Sequence, residues 1–151
     1  NLKERLLKIL NEFFTGKDAQ LIEIQIRGEK KNKIAEIYVD SELGIDLEKL
    51  SLLSKGINEI ADKEGISEEL LKIVVSSPGV ENPFKYLWQL KKHINRILEY
   101  SEDGKIIIGK LINVDEDSEE LTIEISDKKR EIEVCKSKFY KLDSIKVKLP
   151  F

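Results

Sequence analysis

The sequence contains no methionine, one cysteine, one histidine, one tryptophan and three prolines among 151 residues. Each shortage excludes something. A single cysteine, Cys135, forms no intramolecular disulfide and suits a reducing compartment. One histidine and one cysteine cannot build a Cys/His zinc site. They would make a nucleophile–base dyad only if Cys135 met His93. Both have plainer readings: Cys135 follows Val134 on a strand as core or half-buried filler, and His93 reads as a surface or nucleic-acid-proximal residue. No glycine-rich phosphate loop occurs, because Gly104 and Gly109 fit neither the dinucleotide fingerprint nor the phosphate-binding loop. Ser76 and Ser77 lack a neighbouring base and the Gly-x-Ser-x-Gly pattern, so they read as hydroxyls capping a turn. No apolar run approaches the roughly 18 residues that span a bilayer. With no signal peptide read at its start, the chain is expected to be soluble and cytoplasmic, with its native first residues missing. No catalytic residue, cofactor or metal is expected.

What is present suits packed cores. Hydrophobic residues make up 40% and charged residues 36%, with apolar positions recurring throughout, which is not a disordered composition. The net charge of −3 is uneven: residues 1–82 carry 12 basic and 16 acidic side chains, residues 83–151 carry 14 and 13. The second part is the better place for contact with a polyanion.

Leu2, Leu6, Ile9, Leu10, Phe13 and Phe14 recur at helical spacing, and Gly16 stops the helix. Leu21 to Ile26 lie in a strand over Ala19–Arg27, and Ile34, Ile37 and Val39 in a second strand ending at Asp40. The short polar connection from Gly28 to Asn32 makes this pair antiparallel. Asp46 caps a helix running to about Glu64, with Leu50, Leu53, Ile57, Ile60 and Ala61 on its apolar face. Asp40, Glu42 and Asp46 read as strand end, loop and cap rather than a cation site. A third strand covers Leu70–Val75. The order α-β-β-α-β predicts a three-stranded sheet with two helices on one face.

The chain then passes through Ser76-Ser77-Pro78-Gly79. Pro78-Gly79 suits the centre of a type II turn, and Pro83 stiffens the exit. Ser76, Ser77, Pro78, Gly79, Asn82 and Pro83 form an interdomain turn, a hinge that sets how two domains, 1–82 and 83–151, present a shared surface. Beyond it, Phe84–Ile94 has no acidic residue. Phe84, Leu87, Trp88 and Lys91 fall on one side of a predicted helix, with Leu90 and Ile94 adjacent. Five short strands follow, over about Arg96–Tyr100, Lys105–Val114, Leu121–Ile125, Glu131–Cys135 and Ile145–Leu149, with a helical turn over Phe139–Asp143. Five strands in some 60 residues suit a small Sm- or SH3-like β-barrel, bent at Gly109. The overall class is therefore α+β. The acidic run Asp115–Glu120 reads as a solvated turn, without the spacing of a calcium loop.

The functional signal lies in Phe84–Arg96. Lys85, Lys91, Lys92 and Arg96 are cations suited to phosphates, and Tyr86 or Trp88 to stacking on a base. The plainer alternative packs Phe84, Leu87 and Trp88 on the barrel and leaves the lysines solvated. Lys128-Lys129-Arg130 and Lys136, Lys138 and Lys141 are weaker basic patches.

The run Ile73-Val74-Val75-Ser76-Ser77-Pro78-Gly79-Val80-Glu81-Asn82-Pro83-Phe84 resembles the signature Leu-Glu-Val-Ser-Ser-Pro-Gly-Leu-Asp-Arg-Pro-Leu of the ribosome maturation factor RimP family. Tyr38-Val39-Asp40 with Gly44-Ile45, Leu53-Ser54, His93 to Arg96 and Gly109-Lys110-Leu111 are also similar. The chain departs from the pattern at Val74, where Glu is usual, and at Glu81-Asn82, where Asp-Arg is usual, so Asn82 lacks a charge its relatives carry. Leu50 replaces a common cysteine. The resemblance implies an α/β domain followed by an Sm-like barrel. It implies a monomeric, non-enzymatic assembly factor that binds the free small ribosomal subunit, its RNA and a ribosomal protein near the decoding region, and assists late maturation. A generic Sm-like RNA-binding module and a protein-only adaptor using a barrel edge strand are the alternatives.

Overall fold

The computed structural model describes residues 1–79, 83–126, 129 and 131–148. It divides into two compact units, Asn1–Pro78 and Gly79–Phe151.

In the first unit, helix α1 spans Leu2–Phe14 and helix α2 spans Leu47–Lys63. The side chain of Asp46 caps α2 by accepting the Lys49 N–H at 2.8 Å, the role its position in the sequence predicts. Each helix buries a stripe four residues apart: Leu2, Leu6, Leu10 and Phe14 on α1, and Leu53, Ile57 and Ala61 on α2. Strands β1 (Ala19–Arg27), β2 (Ile34–Ser41) and β3 (Lys72–Ser76) form a sheet in that order. β1 and β2 are antiparallel, whereas β3 runs parallel to β2, its entry to the sheet supplied by α2. The hairpin connection needs glycine at position 28, where φ is +89° and a Cβ would collide with the Asn32 carbonyl oxygen. Helix stripes and sheet share one core, with Ile24, Ala35, Ile37 and Val39 facing the helices. At the surface, ion pairs join Arg5 to Glu69 and Arg27 to Glu36.

The third strand begins two residues later than predicted. Ile66–Glu69 instead forms a 3₁₀ turn whose Ile66 is buried, and Leu70 ends it before the Leu71 N–H reaches the Lys33 carbonyl at 2.7 Å. The run of apolar residues there belongs partly to the turn.

The second unit is a five-stranded antiparallel sheet: β4 (Ile97–Glu102), β5 (Lys105–Asp115), β6 (Glu120–Ser126), β7 (Ile132–Lys138) and β8 (Leu142–Val147), ordered β7-β6-β5-β4-β8. Among the described residues β7 and β8 are its edges, and no pairing joins them. Its core gathers Leu98, Tyr100, Leu111, Leu121, Ile123, Ile145 and Val147. Burial pushes the Tyr100 phenol up to about 12, with Glu102 and Cys135 adding to the shift. Cys135 is half-buried, and its thiol is likewise raised, mainly by desolvation.

Gly109 is buried in β5, directly opposite Leu98. A Cβ there would run into the Ile123 Cγ2, and would stand 3.0 Å from the Glu124 carbonyl oxygen and 3.2 Å from the Ile125 Cγ1. The missing side chain lets β6 lie close over β5. β8 starts at Leu142, three residues earlier than predicted, because Ser144 at φ +53° breaks the two-residue alternation between buried Leu142 and buried Ile145.

A candidate nucleic-acid interface on the second unit

The segment before β4 is held from both ends. The Phe84 N–H donates to the Ile145 carbonyl of β8 at 2.8 Å. At the other end Asn95, with φ +77°, reverses the chain; its N–H donates to the Leu111 carbonyl at 2.7 Å, and the Leu111 N–H returns to the Arg96 carbonyl at 2.9 Å. Between these clips, Leu87–His93 is a 3₁₀ helix rather than the predicted α-helix. A three-residue turn changes which side chains share a face. Leu87, Leu90 and His93 point together towards the core, with Leu90 fully buried. The expectation of Phe84, Leu87, Trp88 and Lys91 on one side does not survive this change of pitch.

His93 corrects a second expectation. It is buried, 6% exposed, and meets Phe84 edge to face at 5.2 Å between ring centroids. Its ring is part of the packing rather than the surface.

Gln89 is the residue that sequence reasoning missed. Its side chain is 1% exposed, and its Oε1 accepts the backbone N–H groups of Tyr86 at 2.8 Å and Lys85 at 3.0 Å. One buried amide therefore fixes the backbone beneath the exposed half of the segment. The available signal was its place three residues after Tyr86, the spacing of a reciprocal cap. Gln89→Leu is expected to orphan both N–H groups, costing about 1–3 kcal/mol, and to red-shift the emission of Trp88, the sole tryptophan. Gln89→Glu keeps an acceptor and should retain the native emission; equal spectra for both variants would contradict this role.

Above that pin, four predicted residues form one array. Tyr86 and Trp88 stack at 6.1 Å with 9° between their planes. The Lys85 ammonium lies over the Tyr86 ring at 5.6 Å, and the Lys92 ammonium over the Trp88 ring at 6.0 Å. Lys85 and Tyr86 are exposed, Trp88 and Lys92 half-buried. The array holds two cations beside two aromatic rings, which is chemistry for a phosphate backbone and its bases. Arg96 is exposed immediately beyond, its backbone N–H bonded to the His93 carbonyl at 3.0 Å.

Lys91 turns elsewhere. Its ammonium pairs with the Glu116 carboxylate at 3.0 Å, across to the turn between β5 and β6. The acidic run is thus not wholly solvated. The turn is well fixed: Asp115 Oδ1 accepts the N–H groups of Ser118 and Asp117, and the bond from Ser118 above all holds its carboxyl below the usual range. Lys138 Nζ donates to the Ser118 carbonyl at 2.6 Å and pairs with Glu120 at 3.6 Å, so Lys138 too is engaged within the fold. Lys136 is exposed, and Lys128 and Arg130 lie outside the described residues.

Of the interdomain-turn residues, Ser76 ends β3, in register with Tyr38, and Ser77, Pro78 and Gly79 continue without regular structure. Pro83 is exposed; Asn82 and the far side of the expected turn lie outside the described residues. A groove of about 330 Å³ on the first unit, lined by Ile9, Ile60 and Ile66 with Arg5 and Glu64, contains none of the predicted site residues. Among the described residues no group of three or more His, Cys, Asp or Glu is placed to hold a metal ion, and no helix is long and apolar enough to cross a membrane.

Fold and site together define a two-unit α+β protein carrying a cationic, aromatic surface segment on its all-β unit. Residues 9–81, nearly all of the first unit, match the RimP N-terminal domain. The first unit is thus a RimP N-terminal domain, and the match supports a member of the RimP family of ribosome maturation factors.

Proposed function

We propose that this protein is a non-enzymatic assembly factor that binds the free small ribosomal subunit in the cytoplasm and favours a late step of its maturation. The observation that carries the proposal is the match of residues 9–81 to the RimP N-terminal domain. The array Lys85–Tyr86–Trp88–Lys92 and the adjacent Arg96 support it from the chemical side, because a fixed group of cations and rings suits structured RNA. The protein acts as a monomer by binding one conformation of the premature subunit and shifting its population, with contacts to ribosomal RNA and to a ribosomal protein near the decoding region. Its second domain is an Sm- or SH3-like barrel. In support, the strand order β7-β6-β5-β4-β8 places first and last strands of the unit side by side. The sheet also curls enough for the Ser137 hydroxyl on β7 to reach Glu102 on β4 at 3.4 Å.

Sedimentation through sucrose gradients tests the proposal. The protein is expected to travel with purified free small subunits and to leave them as salt rises. It should not travel with large subunits. Equal association with both, or with neither, would reject it. Tight binding to short single strands without any preference for the subunit would favour a generic RNA-binding module. A complex that survives nuclease would favour a protein adaptor.

A further inference from the structure

The pairing of Lys91 with Glu116 has a consequence for how the interface discriminates among ligands. Lys91 lies in the middle of the basic segment, between Lys85 and Arg96 in sequence, yet it already has a carboxylate partner. The carboxylate belongs to a turn that is itself held: Asp115 closes it from within, the Phe139 N–H donates to the Glu119 carbonyl at 2.9 Å, and Lys138 binds the Ser118 carbonyl. Glu116 is therefore presented by a fixed frame rather than a loose loop. The pair is half-exposed, at 35% and 44%, so it is weak enough for a stronger acceptor to displace.

We infer that Glu116 is an internal stand-in for one phosphate, a latch that a polyanion must displace to reach Lys91. This rests on the nucleic-acid reading of the interface. The latch raises the threshold for binding. A ligand with few phosphates exchanges one carboxylate for one phosphate and gains little. A polyanion that also engages Lys85, Lys92 and Arg96 makes the exchange as part of a larger contact. Salt dependence carries the mark of the latch. Salt weakens the internal Lys91–Glu116 pair as well as the contact with phosphate, so the latch partly offsets the salt dependence that Lys91 contributes.

The test uses the full chain with a fluorescein-labelled oligouridylate of about 20 nucleotides and, in parallel, purified small subunits, titrated across a salt series. Glu116→Gln keeps the shape of the side chain and removes its charge. It is expected to tighten binding by roughly threefold to tenfold at low salt, and to steepen the log–log salt slope for the oligonucleotide by less than the roughly 0.7 of one full phosphate contact. Lys91→Ala alone should make the slope shallower by at most about 0.7. The gain of Glu116→Gln should vanish in the Lys91→Ala background. Wild-type binding with an unmoved Glu116→Gln variant overturns the latch alone, as does a gain that persists without Lys91. Failure of the wild type to bind either ligand overturns the nucleic-acid reading, and the latch with it. Native Trp88 emission in each variant checks the fold of the segment.

Discussion

Valine in place of Gly109 lowers the stability of the second unit by about 3 kcal/mol, the upper end of the usual cost of overpacking. Two neighbours make the position intolerant. The Ile123 side chain, against which a Cβ would collide, is buried and, being β-branched, stiff about χ1; the Glu124 carbonyl at 3.0 Å is backbone within the paired β6. Relief requires β5 and β6 to part, which strains the ladder through Lys110 and Glu124. Urea unfolding followed by Trp88 emission is the measurement, because Trp88 belongs to this unit. The midpoint is expected to fall by about 2 M, given a slope of roughly 1–3 kcal/mol/M. The helical far-ultraviolet signal of α1 and α2, both in the first unit, shows that the sample is otherwise folded. A midpoint within experimental scatter of the wild type would mean that the sheet yields easily at this place.

On the proposed function, removing the three cations of the candidate interface, Lys85→Ala with Lys92→Ala and Arg96→Ala, is expected to weaken binding to small subunits by about a hundredfold to a thousandfold at low salt. The magnitude follows from about 1.5 kcal/mol for each charge-assisted hydrogen bond, or roughly tenfold per contact. The salt slope should fall by about 2 to 3. Stability should change little, because the backbone under these side chains is fixed by Gln89, Ile145 and Leu111 rather than by the charges. Unaltered affinity and slope, with native Trp88 emission, would remove this segment from the interface and leave the family match without a chemical counterpart on this face.

The sheet of the first unit and its helices were legible because their periods are clean. β1 occupies the predicted Ala19–Arg27, and α2 starts after the predicted Asp46 cap. Local signals sufficed there: alternation, a polar hairpin connection, a capping aspartate. The errors fall where a period is broken. Ser144 inserts a residue into β8 and hides Leu142 from an alternation of two. In Phe84–Arg96 a three-residue pitch and a 3.6-residue pitch differ by less than one position over a single turn, and only the burial of Leu90 and His93 separates them. The cations and rings of the site could be named from composition. Their arrangement could not, because Tyr86 stacks on Trp88 by virtue of a buried Gln89, and Lys91 finds Glu116 through the folded sheet, 25 residues downstream.

The hydrogen bond from Phe84 to Ile145 ties the first residue of the interface to the last described strand. β4 likewise pairs with β8, Leu98 facing Val147 across nearly fifty residues of chain. Closing so long a loop is entropically costly and comes late in folding. The first unit has no such delay, since its own closing strand, β3, is made before any of the second unit. During synthesis, then, the chain passes through a stage in which one unit is complete while the basic segment has nothing to fold against. The tether from Phe84 to Ile145 can form only after β8 has been made, whereas the clips to Gln89 and Leu111 need no part of β8. A nascent copy therefore passes through a stage in which the first unit is whole and the Phe84 tether has not yet formed.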